Sequence, residues 1–217
     1  MGRKRKPSGF LFLLGSDYTS YCEKEAILLP FHQRKRYNFP MGPLSILTGD
    51  IVDSSDLSAG DLDRTMSALE AAAADIASWT DTAGFARRGG DGWQLALAPA
   101  PLALRAALYC QAVVRRLDDG RETRIAVAEG EGTLPPDGNP NAGSGPAFVE
   151  SGRLLGTMDR HARFAHASGG ATSAAFRLAG RIAEGWTQAQ ARALCEMLAP
   201  GTGPRAEAAK RLGITRE

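Results

Sequence analysis

An α+β fold is predicted by three observations: short apolar runs that end in Gly-Asp turns, amphipathic helical stripes between them, and the order in which the two alternate. From Leu44 onward the order is strand, helix, strand, strand, helix, strand. That is the split βαβ pattern of a ferredoxin-like (βαββαβ) domain, and a helical segment follows it.

Leu44 to Asp50 is the first strand, an apolar run with Ile46 and Leu47 that closes on Thr48-Gly49-Asp50. Asp53 to Ser58 is rich in helix caps, and Leu62, Met66, Leu69, Ala73 and Ile76 then recur at spacings of four, three, four and three residues. This spacing places one apolar stripe on a helix that Trp79 closes. Gly84 to Arg88 and Trp93 to Ala98 read as strands joined by Gly89-Gly90-Asp91-Gly92, whose glycines suit a tight hairpin. After Pro99 and Pro101, the residues Leu102, Ala106, Tyr109, Val113 and Leu117 mark a second helix, and Arg124 to Ala128 the fourth strand. Glu129 to Ser144 is a Gly-, Pro- and Asn-rich loop. Pro146 opens a helix with Phe148, Leu155 and Met158, and Arg163 to His166 is a further short strand. Helices follow at Thr172 to Ala183, from a Thr187 cap to Leu198, and from Arg205 to Leu212.

Three parts are therefore expected: a basic arm over residues 1–40, an α+β domain over 41–168 and a helical tail over 171–217. Two readings of the arm stand side by side. One is a contact with phosphates or anionic lipid. The other is an extension packed on nothing, which Met41, three residues before the first strand, favours.

Composition narrows the function classes. The 217 residues are 43% hydrophobic, ample for a core, and a net charge of +2 gives no whole-chain attraction to nucleic acid or membrane. No run reaches the roughly 18 apolar residues of a membrane span. Cys22, Cys110 and Cys195 are odd in number and lack CxxC spacing, which argues against a disulfide framework or zinc site and for a reducing cytoplasm. Cys110 reads as a small core residue. His161 and His166, without a third ligand nearby, read as surface residues.

In the ferredoxin-like order the first and third strands are antiparallel neighbours at the centre, so Asp50 and Asp91 meet at one edge of the sheet. Two carboxylates held close repel unless a cation or proton lies between them, which makes the pair a candidate Mg²⁺ site. The alternative is that Asp50 caps a turn and Asp91 is the Asp of a hairpin.

Gly49-Asp50-Ile51-Val52, Gly90-Asp91-Gly92, Arg124-Ile125-Ala126-Val127 and Gly145 to Leu154 resemble the landmarks of class III nucleotidyl cyclase domains, over residues 44–167. The resemblance implies that Asp50 and Asp91 carry Mg²⁺ or Mn²⁺ ions that activate a ribose hydroxyl and hold a triphosphate. It makes Gly49, Ile51 (through its carbonyl), Gly90 and Arg87 nucleotide contacts, with Arg87 and Ala142 at the base-selecting positions. Arg153 falls at the position of the transition-state Arg. Val149, however, stands where the family has the Asn that orients the ribose, and Asp53-Ser54-Ser55 replaces Gly-Phe-Thr. Valine cannot hydrogen-bond a ribose oxygen, so the resemblance points to a non-catalytic descendant.

The run Leu47 to Ser55, with Gly145-Pro146-Ala147-Phe148 and Gly185-Trp186-Thr187-Gln188, is similar to SatD-like bacterial proteins. Their tails resemble a helix-turn-helix. Here the helices from Thr187 and Arg205 would be its first two, with Leu212-Gly213-Ile214 as the turn and Thr215 capping a recognition helix absent from this chain. Weak, non-specific contact with DNA phosphates through Arg205, Lys210, Arg211 and Arg216 is the expectation. The resulting functional expectation is a cytoplasmic regulator that binds a divalent metal and a nucleotide. The alternatives are a two-metal nucleotidyl cyclase or nucleoside triphosphate-processing enzyme, and a domain that only pairs with a second copy of itself.

Overall fold

The computed structural model describes residues 43–98 and 100–214. The expectations for the arm, His32, Cys22 and Thr215 to Glu217 lie outside the described residues.

β1 (Leu44–Ile51) leads through a 3-10 turn to α1 (Ala59–Ala77), then to the hairpin of β2 (Thr82–Arg88) and β3 (Gly92–Ala98). α2 (Ala103–Arg115) and β4 (Thr123–Gly130) complete the predicted βαββαβ order. α3 (Pro146–Thr157), β5 (Phe164–His166), α4 (Gly170–Glu184), α5 (Gln188–Leu198) and α6 (Arg205–Arg211) follow. The sheet order is β2-β3-β1-β4-β5. β1 is antiparallel to both central neighbours, β3 and β4, while β5 joins β4 in parallel.

Strand alternation divides the side chains between two faces. On one face Leu47, Ile51, Trp93, Leu95, Ile125 and Val127 form the main core with the inner stripes of α1 and α2. The α1 stripe is the predicted one, with Met66, Leu69, Ala73 and Ile76 buried, and the Ser58 hydroxyl caps the helix by accepting from Asp61 N–H at 3.1 Å. α2 turns mostly alanines inward, Ala103, Ala106 and Ala107 among them, so its backbone can lie close to the sheet. On the other face Leu44, Ile46 and Ala96 meet Ala147 and Phe148 of α3 in a smaller cluster, Ala126 and Ala128 of β4 are fully buried, and only the end of that face carrying Arg88, Asp50 and Arg124 stays partly exposed.

The helical tail is not separate from this core. Phe176 of α4 belongs to the main cluster, and Cys195 and Leu198 of α5 rest against it. Gly180 permits the close approach of α4, since a Cβ there would lie 2.9 Å from Phe164 N. Thr187 and Gln190 form a full capping box at the start of α5, and the Gln188 N–H is held by Asp119 Oδ1 at 2.8 Å. A polar cluster of which the sequence pattern gave no sign ties α2, β4 and β5 together. Glu122, almost fully buried, is paired with both Arg115 and Arg163.

Burial pushes the Cys110 thiol up to about 12 and Cys195 up to about 11. In a Cys22→Ser background buried Cys110 should stay unlabelled by a thiol reagent at about pH 8 until denaturant is added, and partly buried Cys195 should react more slowly than a free thiol.

Gly49 fixes the edge of the sheet that carries Asp50. A Cβ at Gly49 would lie 2.4 Å from the Trp93 ring and 2.7 Å from Arg124 O, so Gly49→Ala should lower stability by about 1–3 kcal/mol, measured as a fall in the urea midpoint.

Candidate functional site

The partly exposed end of this sheet face is built by register. Asp50 of β1 lies opposite Gly92 of β3 and Arg124 of β4, and Gly92 in turn lies opposite Arg88 of β2. One row across four strands therefore reads Arg88, Gly92, Asp50, Arg124, a cation, a gap, an anion and a cation. The next row places Gln94 beside Thr48. Here the Gln94 amide donates to Thr48 Oγ1 at 2.9 Å, Thr48 meets Ser151 Oγ of α3 at 2.8 Å, and all three side chains are buried. This floor satisfies its own polar groups and holds α3 over one side of the row.

Two adjoining cavities open here, of about 370 and 420 Å³, both lined by Arg88 and Gly152. The first also exposes Asp50, Gly49 and Gly92, and the second Asn141, Phe148, Val149 and Arg153. Gly145 has a positive φ of 127° and starts α3 so close to the loop that a Cβ would lie 2.7 Å from Glu131 O.

The two acidic turns meet as expected. Asp91 lies next to Gly92 opposite Asp50, and its carbonyl accepts from Ile51 N–H at 3.2 Å. Their carboxylates are already engaged. Arg124 Nε donates to Asp50 Oδ1 at 2.9 Å and its Nη2 to Oδ2, so the guanidinium spans the whole carboxylate. The Ser54 hydroxyl donates to Asp91 Oδ2. The hydrogen bond to Asp50 holds Arg124 above its ordinary pKa, against the opposing pull of burial, and the charges of Asp50 and Asp91 both add to it. The cation that answers the charge of Asp50 is thus Arg124, on the side of β1 away from Asp91. Arg124 takes a lone pair on each Asp50 oxygen and sets a positive charge against the carboxylate, which disfavours a divalent ion while this pair stands, and the described residues contain no group of three or more His, Cys, Asp or Glu suited to a metal. As arranged, Asp50 and Asp91 do not fit a pair of resident Mg²⁺ or Mn²⁺ ions.

Arg87 departs from its expected place. It shares the face of Trp93, opposite which it lies, and reaches α1 instead: Nη1 donates to Asp63 at 2.6 Å and Nη2 to Ser67 at 2.9 Å. Strand alternation sends Arg88, its neighbour, into the groove. Arg88 and Arg153 have no side-chain partner among the described residues. Gly49 lines the groove, Gly90 lies exposed in the hairpin, and Ile51 is buried with its N–H committed to Asp91. Val149 is 69% exposed at the rim, and Ala142 is exposed in the loop.

The two histidines part company. His161 is exposed, whereas His166 is buried rather than on the surface, because β5 is covered by α4: its ring packs against Phe176 with centroids 4.8 Å apart and planes tilted by 41°, and Nδ1 accepts from Ser168 N–H at 3.2 Å. In the tail, α6 ends on Gly213 in the left-handed region, with Ile214 N–H donating to Ala209 O at 2.9 Å, the 6→1 bond of a Schellman turn. Arg211 pairs with Glu196, while Arg205 and Lys210 are exposed. No helix of the described residues is long and apolar enough to cross a membrane.

No family model matches the chain, and no curated protein does. Among solved structures it is similar to an adenylate/guanylate cyclase/hydrolase from Silicibacter pomeroyi, at 22% identity over 54% of this chain and 70% of that one, with a TM-score of 0.42. It is similar to an adenylyl cyclase from P. aeruginosa at 14% identity, over 54% of this chain and 73% of that one, with a TM-score of 0.42. A bacterial light-regulated adenylyl cyclase gives 15% identity over 58% of this chain and 75% of that one, with a TM-score of 0.44.

Proposed function

We propose that the chain is a non-catalytic regulatory module that binds a phosphorylated small molecule, a nucleotide foremost, in the groove between the open sheet face and α3. The row Arg88, Gly92, Asp50, Arg124 carries this reading. Arg124 cancels the charge of Asp50, which leaves Arg88 and Arg153 as unpaired guanidiniums on the groove walls. Guanidinium forks match phosphate oxygens, and the missing side chain at Gly92 leaves room between Arg88 and Asp50. Phe148 and Val149 supply an apolar wall for the rest of the ligand. Valine at the rim offers no hydrogen bond to a ribose, so binding is supported better than cyclisation.

The second reading is an enzyme that cyclises or otherwise processes a nucleoside triphosphate with Mg²⁺ or Mn²⁺. The adjacency of the Asp50 and Asp91 turns favours it, and it requires Arg124 to release Asp50. In either reading the tail would pass the outcome to a partner. Contact with DNA through Arg205 and Lys210 would be weak, salt-sensitive and indifferent to sequence.

Calorimetry with a panel of nucleotides, in EDTA and in Mn²⁺, separates the readings. A nucleoside triphosphate should bind in EDTA without turnover, and the double variant Arg88→Ala, Arg153→Ala should weaken it by about tenfold or more. Binding confined to Mn²⁺ and accompanied by release of pyrophosphate or phosphate would establish the enzyme instead. No binding under either condition would sink both.

Removing the resident cation supplies a further check. Arg124→Gln leaves two uncompensated carboxylates, so its Mn²⁺ affinity should exceed the wild type's by about tenfold or more, and adding Asp50→Asn should abolish the gain.

A further inference from the structure

We propose that a separate cavity, between the turn that precedes β5 and the flank of α4, binds a small soluble oxyanion of the phosphate type. The cavity holds about 270 Å³, too small for a drug-sized ligand, and is lined by Asp159, His161, Arg163, Arg177, Arg181 and Glu184, with Ala162 and Phe164. It shares no residue with the groove.

Of its three arginines, Arg163 is held in place from behind, while Arg177 and Arg181 stand exposed on α4. Arg163 Nε donates to buried Glu122, its Nη1 to His161 O at 3.3 Å, and its Nη2 lies 3.5 Å from Glu184. Arg181 is paired with the other oxygen of Glu184. Glu184 is thus spent on two arginines, and Asp159 is occupied by the His161 N–H at 2.7 Å. Arg177 has no hydrogen bond or ion pair with any described residue. It sits four residues before Arg181 on the same flank of α4, an arrangement of like charges that costs stability in a helix unless an anion lies between them. His161 adds a donor: its Nε2 faces Arg160 Nε at 3.0 Å, and since arginine only donates, the ring hydrogen of the neutral imidazole belongs on Nδ1. With the Glu122–Arg115 pair behind the cavity counted, four guanidiniums stand against three carboxylates, and Arg177 is the one left without a partner, in a recess where α4 is drawn against Phe164 at Gly180. An oxyanion with several acceptors matches this donor set.

The test uses the full chain carrying Arg88→Ala and Arg153→Ala, so that the groove does not contribute, titrated with inorganic phosphate at low ionic strength against a chloride control. Phosphate should bind saturably at a single site. Arg177→Ala, which removes no internal contact, should weaken it by about tenfold or more with an unchanged thermal midpoint, and Arg177→Lys should restore part of the loss. Failure of phosphate to bind saturably, or an Arg177→Ala protein that binds it equally well, would overturn the proposal and leave the groove reading untouched.

Discussion

Everything at the open sheet edge depends on one chain of contacts through Trp93. Its ring fills the space that only glycine at position 49 leaves free, and its Nε1–H donates to Thr123 Oγ1 at 3.0 Å. The Thr123 hydroxyl in turn donates to Asp50 O at 2.6 Å, while Thr123 N–H is held by buried Gln111 of α2. Three strands and a helix are therefore locked together at the point where the acidic turns meet. The largest buried side chain of the core serves as the spacer that sets where Asp50 stands. Packing and positioning cannot be varied independently here, because interiors are close-packed and transmit small displacements.

Given that fixed edge, charge decides what the groove can hold. A lone carboxylate beside a second one would call for a cation, and the strand register supplies it from within the chain. The guanidinium of Arg124 delivers two parallel hydrogen bonds to Asp50, a stronger arrangement than a single exposed ion pair. With that negative charge answered internally, the character of the groove passes to Arg88 and Arg153. The guanidiniums left without a partner around the groove are therefore Arg88 and Arg153, while the charge of Asp50 is already answered by Arg124.

Much of this was legible in the sequence, and what was not has identifiable reasons. The spacing of Leu62 to Ile76 and the Gly-Asp turns specified α1, the β2–β3 hairpin and the antiparallel neighbours of β1, because each signal is local or follows from a small set of allowed topologies. The meeting of the Asp50 and Asp91 turns followed from that topology. Arg124 lies at the head of the predicted fourth strand, but its pairing with Asp50 needed both the place of that strand beside β1 and the register to one residue. Arg87 was expected at a base-selecting position from the family resemblance alone, and strand alternation gives the groove its neighbour Arg88 instead, as a shift of one residue reverses every side chain. The burial of His166 and the pairing of Glu122 with Arg115 and Arg163 depend on how α4 folds back over β5, a long-range contact with no periodic trace in the sequence.

The start of β4 concentrates three duties in three successive residues. Glu122 anchors Arg163 behind the cavity beside α4, Thr123 links Trp93 to the Asp50 carbonyl, and Arg124 holds the Asp50 carboxylate that lines the groove. Their backbone is continuous, so a displacement that suits one neighbour is imposed on the other two. Thermodynamic linkage then applies: if filling the cavity beside α4 shifts this tripeptide and changes the affinity of the groove, filling the groove must change the affinity of that cavity by the same factor. Two recesses on different parts of the molecule would report on each other through about ten ångströms of extended chain, with no hinge and no moving domain.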